Sequence, residues 1–504
     1  MDTNKKVFLS ILAQILYFIT NIVVTFFLTP FIIKKLGDFN YGFWILISTI
    51  VGYFAYSEFG VGSAIQNQLS IQLGQNNMEK YRGIFSSGFF LYILVSIIVF
   101  LLTIIASLIG LHLKNSGMDP LILAIILFIY GTNLALSFIF YPYTSVLISY
   151  IRLDILAWVA IFQTIFSALL SVIVLNLEFG LVMLALVGLI TTIITNSFIF
   201  LYAKRLVPKL RFEKDKIEKD KIKDIFVFGG KTFFIQLSDL LRFKLDEVVT
   251  GVFISVKLVT HYSISNKMVT TSNGVILKLL SILNPLFAQQ LGDGDGKKIG
   301  ETFFFTLKVI GVFSIFIYII LIFLGSPFIL LWLGKKYLDA YIPLILLGGA
   351  YCIGKFQSPS INLFYATNKH HFYGYMNVAE GVLNLGFSLL FAIYFKMGIN
   401  GIALGTLIPI IISKIFVQPF LVSSCIKIDV KEMYISMLRI FTIAIFIYGP
   451  YYLFRLYFHI NSYVDIFISF MLLSVSSIFH LFFVLNKKEK EIIFSLIKSA
   501  FKVA

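Results

Sequence analysis

The stretch QLGQNNMEK at residues 72–80 has a second version, QLGDGDGKK, at residues 290–298, and the two begin 218 positions apart. Three further matches keep this order and nearly the same spacing: GLVMLAL (180–186) with GINGIAL (398–404), Trp44 with Tyr262, and Pro142 with Pro359. Each match alone is weak, but four in one order predict an internal repeat, with two halves of similar structure.

The composition indicates that lipid is the main solvent of this chain. Of its 504 residues 59% are hydrophobic, 55 are Phe, only 13% are charged, and the mean hydropathy is +0.93. A soluble domain is about half apolar and a quarter charged. Apolar runs of about 20 residues recur, which is the length that a helix needs to cross a bilayer. Strands of a membrane barrel alternate and give a weaker signal, so we expect helices.

The first apolar run follows Lys5 and Lys6 but is too long for a signal peptide, and no cleavage site follows it, so it counts as a span. We predict fourteen membrane-spanning helices: 7–33, 41–62, 84–110, 120–148, 153–175, 180–203, 225–253, 262–284, 301–325, 340–365, 372–395, 399–423, 433–454 and 466–486. Six spans in each half give both halves the same orientation in the membrane, with two spans left over. Two parallel halves facing each other suggest a central cavity and alternating access.

The expected organisation follows from these spans. It consists of an N-terminal six-helix half (1–203), a basic cytoplasmic linker loop (204–224), a C-terminal six-helix half (225–425), two extra transmembrane helices (426–486) and a cytoplasmic amphipathic tail (487–504). Lys and Arg concentrate in the segments on the side of the N-terminus, which places both termini in the cytoplasm. The same bias explains the net charge of +16 without nucleic acid. The two cysteines, Cys352 and Cys425, imply no disulfide framework.

One span carries unusual charge: GGKTFFIQLSDLLRFKLDEVVTGVF (229–253) contains three cations and three anions. On a helix at 100° per residue, Lys231, Asp239, Arg242 and Asp246 share one face, and Arg242 is spaced to pair with either aspartate. A charge facing lipid at mid-bilayer costs at least about 2.5–3.5 kcal/mol. The segment must therefore border water or protein.

Further in-span cations, all in the second half, include Lys267, Lys278 and Lys355. Together with Lys231 and Arg242 they predict a cavity for an anion such as a phosphate or diphosphate, which Arg binds through forked hydrogen bonds and Lys as a point charge. The alternative is that Asp239, Arg242 and Asp246 form a buried ion-pair network that only fixes helix packing.

Two carboxylates stand apart from this segment: Glu58 in the first half and Glu380 in the second. Each has two interpretations, coupling to a proton or cation, or pairing with a cation; we group them with Asp239 and Asp246 as ion-coupling or charge-pair residues. No catalytic motif, metal-binding cluster or sizeable extramembrane loop is visible, so we expect no enzyme, no metal and no cofactor.

Residues 26–77, FFLTPFIIKKLGDFNYGFWILISTIVGYFAYSEFGVGSAIQNQLSIQLGQNN, resemble the start of Wzx-type polysaccharide flippases, which carry O-antigen or capsule repeat units. These proteins belong to the multidrug/oligosaccharidyl-lipid/polysaccharide (MOP) exporter superfamily. The resemblance rests on Leu36-Gly37, Tyr41-Gly42 and Phe59-Gly60-Val61-Gly62, and in the second half on YSISNKM (262–268) and GINGIALGT (398–406). It covers roughly residues 5–425. These motifs are diffuse and mark the fold better than the cargo.

The resemblance implies a function. Such proteins move an undecaprenyl-diphosphate-linked oligosaccharide across the bacterial cytoplasmic membrane for surface polysaccharide synthesis, with proton or sodium coupling proposed. It further implies membrane lipid, a polysaccharide polymerase and a chain-length protein as partners, and we expect a monomer. The alternatives are a multidrug or cation antiporter, which the basic spans disfavour, a lipid II flippase, and a membrane-embedded polymerase.

Overall fold

The structure is a computed structural model that describes residues 3–113, 117–217, 244–280, 296–367, 369–426 and 428–494, together with residues 222, 223, 225, 229, 230, 233 and 240. Throughout these residues the regular structure is helical and contains no strand. The chain divides into two compact units, Met1–Leu240 and Leu241–Ala504.

In the first unit, six α-helices follow one another with short connections. They are α1 (Thr3–Phe54), α2 (Val61–Gly74), α3 (Met78–His112), α4 (Pro120–Ser149), α5 (Leu153–Asn176) and α6 (Gly180–Leu206). The starts of α3 and α4 have local chemical causes. The Asn77 side chain accepts a hydrogen bond from the backbone of Lys80, and Asp119 accepts one from Leu121 with Pro120 as the first helical residue. Both arrangements satisfy backbone N–H groups that a helix start leaves open.

In the second unit, the described helices vary widely in length and three of them continue into π-helical turns. They are α7 (Leu245–Val249, with a π turn at Thr250–Ile254), α8 (Val256–Leu280), α9 (Gly296–Trp332), α10 (Tyr341–Phe356), α11 (Ser358–Ala366), α12 (His370–Leu389, with a π turn at Leu390–Tyr394), α13 (Gly398–Ile411, with a π turn at Ile412–Val417), α14 (Gln418–Ile426), α15 (Val430–Tyr457) and α16 (Tyr463–Val484).

The backbone shows the same irregularities 218 residues apart. Glu178 and Gly180 have φ of 60° and 67° where α6 begins, and Lys396 and Gly398 have φ of 56° and 58° where α13 begins. Glycine adopts this left-handed conformation without steric cost, which explains GL and GI at the two helix starts. Gly37, with φ of 74° and ψ of 167°, kinks α1, and Ser255, 218 positions later, is extended between α7 and α8.

Ten of the described helical segments are long and apolar enough to cross a membrane. The kink at Gly37 separates the predicted spans 7–33 and 41–62, which form the single segment Leu9–Glu58 in that count. The predicted span 433–454 falls in α15, and 262–284 overlaps α8, a polar helix, whereas about half of 225–253 lies outside the described residues. The expectation of an all-α polytopic membrane protein with about fourteen spans is thus confirmed.

Each unit has its own buried core and an apolar exterior. In the first unit Tyr81, Phe85 and Tyr92 are fully buried, and in the second Phe303 and Tyr448 are. Large side chains on the outside remain exposed, among them Ile445 and Phe446 on α15, with 71% and 75% of their surface accessible. Exposed apolar faces of this extent are normal where a bilayer covers them.

The basic loop after α6 packs against its own unit. The backbone N–H of Glu213 donates to the hydroxyl of Ser86 on α3 at 3.2 Å. Its carboxylate pairs with Lys216 at 3.0 Å. The hydrogen bond from Lys216 lowers the pKa of Glu213, and nearby arginines add to the effect. The predicted linker thus has, over residues 207–217, a defined contact with α3.

Beyond α16, residues 487–494 form a helix, as the sequence predicts for the start of the tail, and residues 495–504 lie outside the described residues. Asn486 and Glu489 cap this helix reciprocally, each side chain accepting from the other's backbone N–H at 2.8 Å. Glu489 also accepts from Lys308 of α9 at 2.7 Å. A long lysine side chain near the end of a membrane helix usually extends to the water interface. The ammonium of Lys308 instead binds the carboxylate of Glu489 at the start of the tail.

Candidate functional site: a buried carboxylate cluster in the second unit

Asp246 lies on α7 and is almost completely buried, with 4% of its surface accessible. Its Oδ2 accepts hydrogen bonds from the hydroxyls of Tyr262 on α8, at 2.5 Å, and Thr406 on α13, at 2.9 Å. The amide of Asn384 on α12 donates to Oδ1 at 3.4 Å. One carboxylate thus joins four helices, and the partners that the described residues provide are all neutral donors.

A second set of contacts orients these donors. Ser388 donates to the amide oxygen of Asn384 at 2.8 Å, which leaves the NH₂ group of Asn384 turned towards Asp246. The hydroxyl of Thr250, in the π turn after α7, donates to the backbone oxygen of Asp246 at 2.7 Å. Preorganised neutral donors around a buried carboxylate stabilise its charge without neutralising it.

Glu247, the next residue, is also buried and has a partner of its own. Its Oε1 accepts from the amide of Asn266 on α8 at 2.5 Å, whereas its Oε2 makes no hydrogen bond with the described residues. Two adjacent carboxylates at the start of α7 therefore both bond to α8.

Glu380 lies one turn before Asn384 on α12 and forms an ion pair. Its Oε1 is 2.9 Å from the Nζ of Lys414 in the π turn after α13, and both side chains are buried. The Lys414 ammonium also lies 5.0 Å from the centre of the Tyr373 ring, a cation–π distance. Of the two interpretations of Glu380, this geometry favours the charge pair.

In the first unit, Glu58 lies where α1 gives way to α2. Its Oε1 accepts from the backbone of Gly62 and from the hydroxyl of Tyr92, both at 2.7 Å. A Cβ on Gly62 would meet this carboxylate at 2.2 Å, so only glycine allows the approach. The carboxylate caps α2 and joins it to α3 through neutral donors.

The predicted cations are placed only in part. Lys267 on α8 and Lys355 on α10 are half-buried and stand on different helices. Lys267 directly follows Asn266, the partner of Glu247. Lys231, Asp239 and Arg242 lie outside the described residues, as does the Lys278 side chain, and the predicted pairing of Asp246 with Arg242 remains a prediction.

The sequence analysis did not predict the partners of Asp246 and Glu380, which are Tyr262, Asn384, Thr406 and Lys414. One signal was available, because the repeat puts Trp44, Phe166, Gly188 and Asn196 at the corresponding positions of the first half. The second half is thus polar or charged where the first is apolar or neutral.

Buried oxygens of Asp246, Asn384 and Thr406 form a set that could hold a proton or a hard cation. No cluster of three or more His, Cys, Asp or Glu occurs among the described residues.

Comparison with known proteins agrees with this architecture. The sequence profile of the family described as "Polysaccharide biosynthesis protein" matches residues 36–342, more than half of the chain. EpsK of Bacillus subtilis (strain 168), described as an uncharacterized membrane protein, is 20% identical over 416 residues, which is 82% of each chain.

Two solved structures share the fold. The lipid II flippase MurJ in its inward closed conformation gives a TM-score of 0.67 at 17% identity and covers 96% of this chain and 100% of its own. An inward-facing multidrug resistance MATE transporter of the MOP superfamily gives 0.64 at 15% identity, over 82% and 99%. This multi-pass membrane protein therefore has the fold of MOP-superfamily transporters and belongs to the polysaccharide biosynthesis protein family.

Proposed function

We propose that this protein is a flippase that moves a lipid-diphosphate-linked oligosaccharide across the cytoplasmic membrane of a bacterium for surface polysaccharide synthesis. The observation that carries the proposal is the family match over residues 36–342 in a chain with a transporter fold. A polysaccharide precursor with a polar glycan and a lipid anchor needs such a protein, because the glycan cannot cross a hydrocarbon layer unaided.

The charge of the second half suits the anionic part of this cargo. We propose that Lys231, Arg242, Lys267, Lys278 and Lys355 attract the diphosphate from water into a cavity, while the lipid stays in the bilayer. Cations in a low-dielectric wall focus their field on an anion and disfavour a cationic drug.

The Asp246 cluster is our candidate for coupling. We propose that protonation or cation binding at Asp246 changes the hydrogen bonds that this carboxylate accepts from α8, α12 and α13. Because those helices meet at one carboxylate, one charge there affects the packing of all of them. Such a device can link an ion gradient to alternating access.

The orientation of the chain in the membrane and its partner proteins are also part of the proposal. With both termini in the cytoplasm, the tail and the 204–224 loop face the side where the precursor is made. A monomer would hand the translocated unit to a polymerase and a chain-length protein, which are the expected partners on the outer side.

Transport into proteoliposomes tests the function directly. Full-length protein is reconstituted with undecaprenyl-diphosphate-linked oligosaccharide, and a membrane-impermeant glycosidase reports the fraction of glycan on the outer leaflet over time. We expect protein-dependent exposure of the glycan, with liposomes lacking protein as the control. Movement of lipid II or of a cationic dye in place of this substrate would contradict the proposal and favour the corresponding relative's activity.

A further inference from the structure

A small polar cavity lies within the first unit, where α4, α5 and α6 meet. Its volume is about 220 Å³, and its polar wall consists of Ser137, Gln163, Thr192, Thr195 and Asn196. The rest of the wall is aliphatic, and none of the nine lining residues is charged. This cavity is separate from the Asp246 cluster, which belongs to the second unit.

Two amides in this wall have no partner in the part of the chain that the structure describes. Gln163 and Asn196 are half-buried, and neither side chain forms a hydrogen bond with the described residues. The hydroxyls beside them are satisfied locally, since Ser137 donates to the backbone of Asn133 at 2.8 Å and Thr195 donates to that of Thr191 at 2.9 Å. Both side chains line the cavity and keep part of their surface accessible, so the two amides are available to a ligand.

The repeat places a buried ion pair of the second half at positions that correspond to this cavity. Asn196 corresponds to Lys414 and Phe162 to Glu380, each 218 positions apart. In the second unit the buried Lys414–Glu380 pair occupies this place. In the first unit the shorter Asn196 replaces the lysine, and Phe162 is 40% exposed, so the pair is absent and the space beside the amide stays open.

We propose that this cavity binds one neutral sugar ring of the lipid-linked oligosaccharide, a proposal that rests on the function proposed above. A primary amide offers both donors and an acceptor, as sugar hydroxyls do, so Gln163 and Asn196 match a polyhydroxylated ring. Thr192, one helical turn from Asn196, adds a hydroxyl to the same wall.

Size and charge narrow the ligand further. The cavity is smaller than the roughly 300–1,000 Å³ of sites for drug-sized ligands, so it takes a single ring and not an oligosaccharide. A wall without charge gives a phosphate nothing to offset its loss of hydration. The diphosphate therefore belongs to the cationic second half, and this cavity contributes to recognition of the glycan.

Binding of simple methyl glycosides tests the site apart from transport. Full-length protein in lipid nanodiscs is titrated with methyl glucopyranoside and with methyl N-acetylglucosaminide, and saturation-transfer NMR reports contact with the ring protons. Inorganic phosphate is the competitor. The variants are Gln163→Leu, Asn196→Leu and Thr192→Val, and Asn176→Leu is the control, since Asn176 is exposed at the end of α5 and does not line the cavity.

We expect at least one glycoside to bind the wild type and the Asn176→Leu control, without competition from phosphate. Binding should weaken about tenfold or more in Gln163→Leu and Asn196→Leu, because the sugar hydroxyls lose their partners. If either variant fails to fold, Thr192→Val gives the same comparison with a smaller change.

Absence of binding to the wild type, or equal binding by all cavity variants that fold, would overturn the site. The two proposals fail separately. Flipping without glycoside binding in this cavity rejects only the sugar site, whereas glycoside binding that depends on the two amides, in a protein that flips no lipid-linked oligosaccharide, supports the site and rejects the flippase.

Discussion

At the scale of single residues, two buried carboxylates of the second unit, Asp246 and Glu380, differ in their partners. Among the described residues, the neutral side chains of Tyr262, Asn384 and Thr406 donate to Asp246. Glu380, by contrast, is paired with Lys414. A carboxylate held by neutral donors can change its charge more readily than one fixed by a cation, because no opposite charge is left unpaired.

Replacing Asp246 with Asn should separate coupling from transport. The amide keeps the size of the side chain but cannot ionise, so we expect flipping in proteoliposomes to lose its response to an imposed proton or sodium gradient. Asp119→Asn is the matched control, because Asn caps a helix start as well as Asp does. A full gradient response in Asp246→Asn would remove this residue from the coupling device.

Arg242 tests the anion site. If its guanidinium holds the diphosphate, Arg242→Ala should raise the substrate concentration needed for half-maximal flipping by roughly ten- to hundredfold, the value of a charge-assisted hydrogen bond. Arg211→Ala, at a side chain that is 77% exposed, serves as the control. Unchanged kinetics in Arg242→Ala, with normal membrane insertion, would contradict the assignment.

At the scale of elements, the buried Lys414–Glu380 pair joins α12 to the π turn after α13. Removing one partner strands a buried charge, so Lys414→Met should destabilise the protein by about 3–5 kcal/mol. The double variant Lys414→Met/Glu380→Leu should recover most of that loss. Thermal unfolding of the purified protein in detergent measures both.

The exposed pair Lys488–Glu301 provides the comparison, because its side chains are 72% and 51% accessible. Lys488→Met should leave the melting temperature unchanged, since solvent screens such pairs. If Lys414→Met/Glu380→Leu proves as unstable as Lys414→Met alone, the buried pair contributes more than the mutual neutralisation of two charges, and that result would contradict the prediction.

Sequence patterns predict the elements of this fold better than its contacts. Hydrophobic length identifies the helices, and the 218-residue spacing anticipates the matching turns at Gly180 and Gly398. The same patterns miss Tyr262 and Thr406 as partners of Asp246, because these residues are 16 and 160 positions away from it. A pair joined across that distance has no local periodicity to reveal it, and a Thr in a membrane helix is ordinary.

At the scale of the whole molecule, the orientation in the membrane is open to a direct test. The positive-inside pattern predicts that the connection between α3 and α4 is external and that the loop after α6 is cytoplasmic. In a variant without Cys352 and Cys425, a cysteine at Met118 should react with an impermeant maleimide in intact cells. A cysteine at Lys209 should react only after the membrane is permeabilised.

The reverse labelling pattern would invert the topology and place both termini outside. Equal labelling of the two cysteines in intact cells would contradict a single orientation. Expression level, measured on the same samples, controls for loss of protein from the membrane.

The three π turns lead to an expectation for the evolution of this chain. They stand at Thr250–Ile254, Leu390–Tyr394 and Ile412–Val417, each beside a residue of the carboxylate cluster or containing Lys414. A π turn holds one residue more than the α-helical turn it replaces. In an alignment of relatives, we therefore expect single-residue gaps to occur mainly at these three places. A relative with such a gap should also lack the polar side chain that the extra residue directs towards the carboxylate cluster.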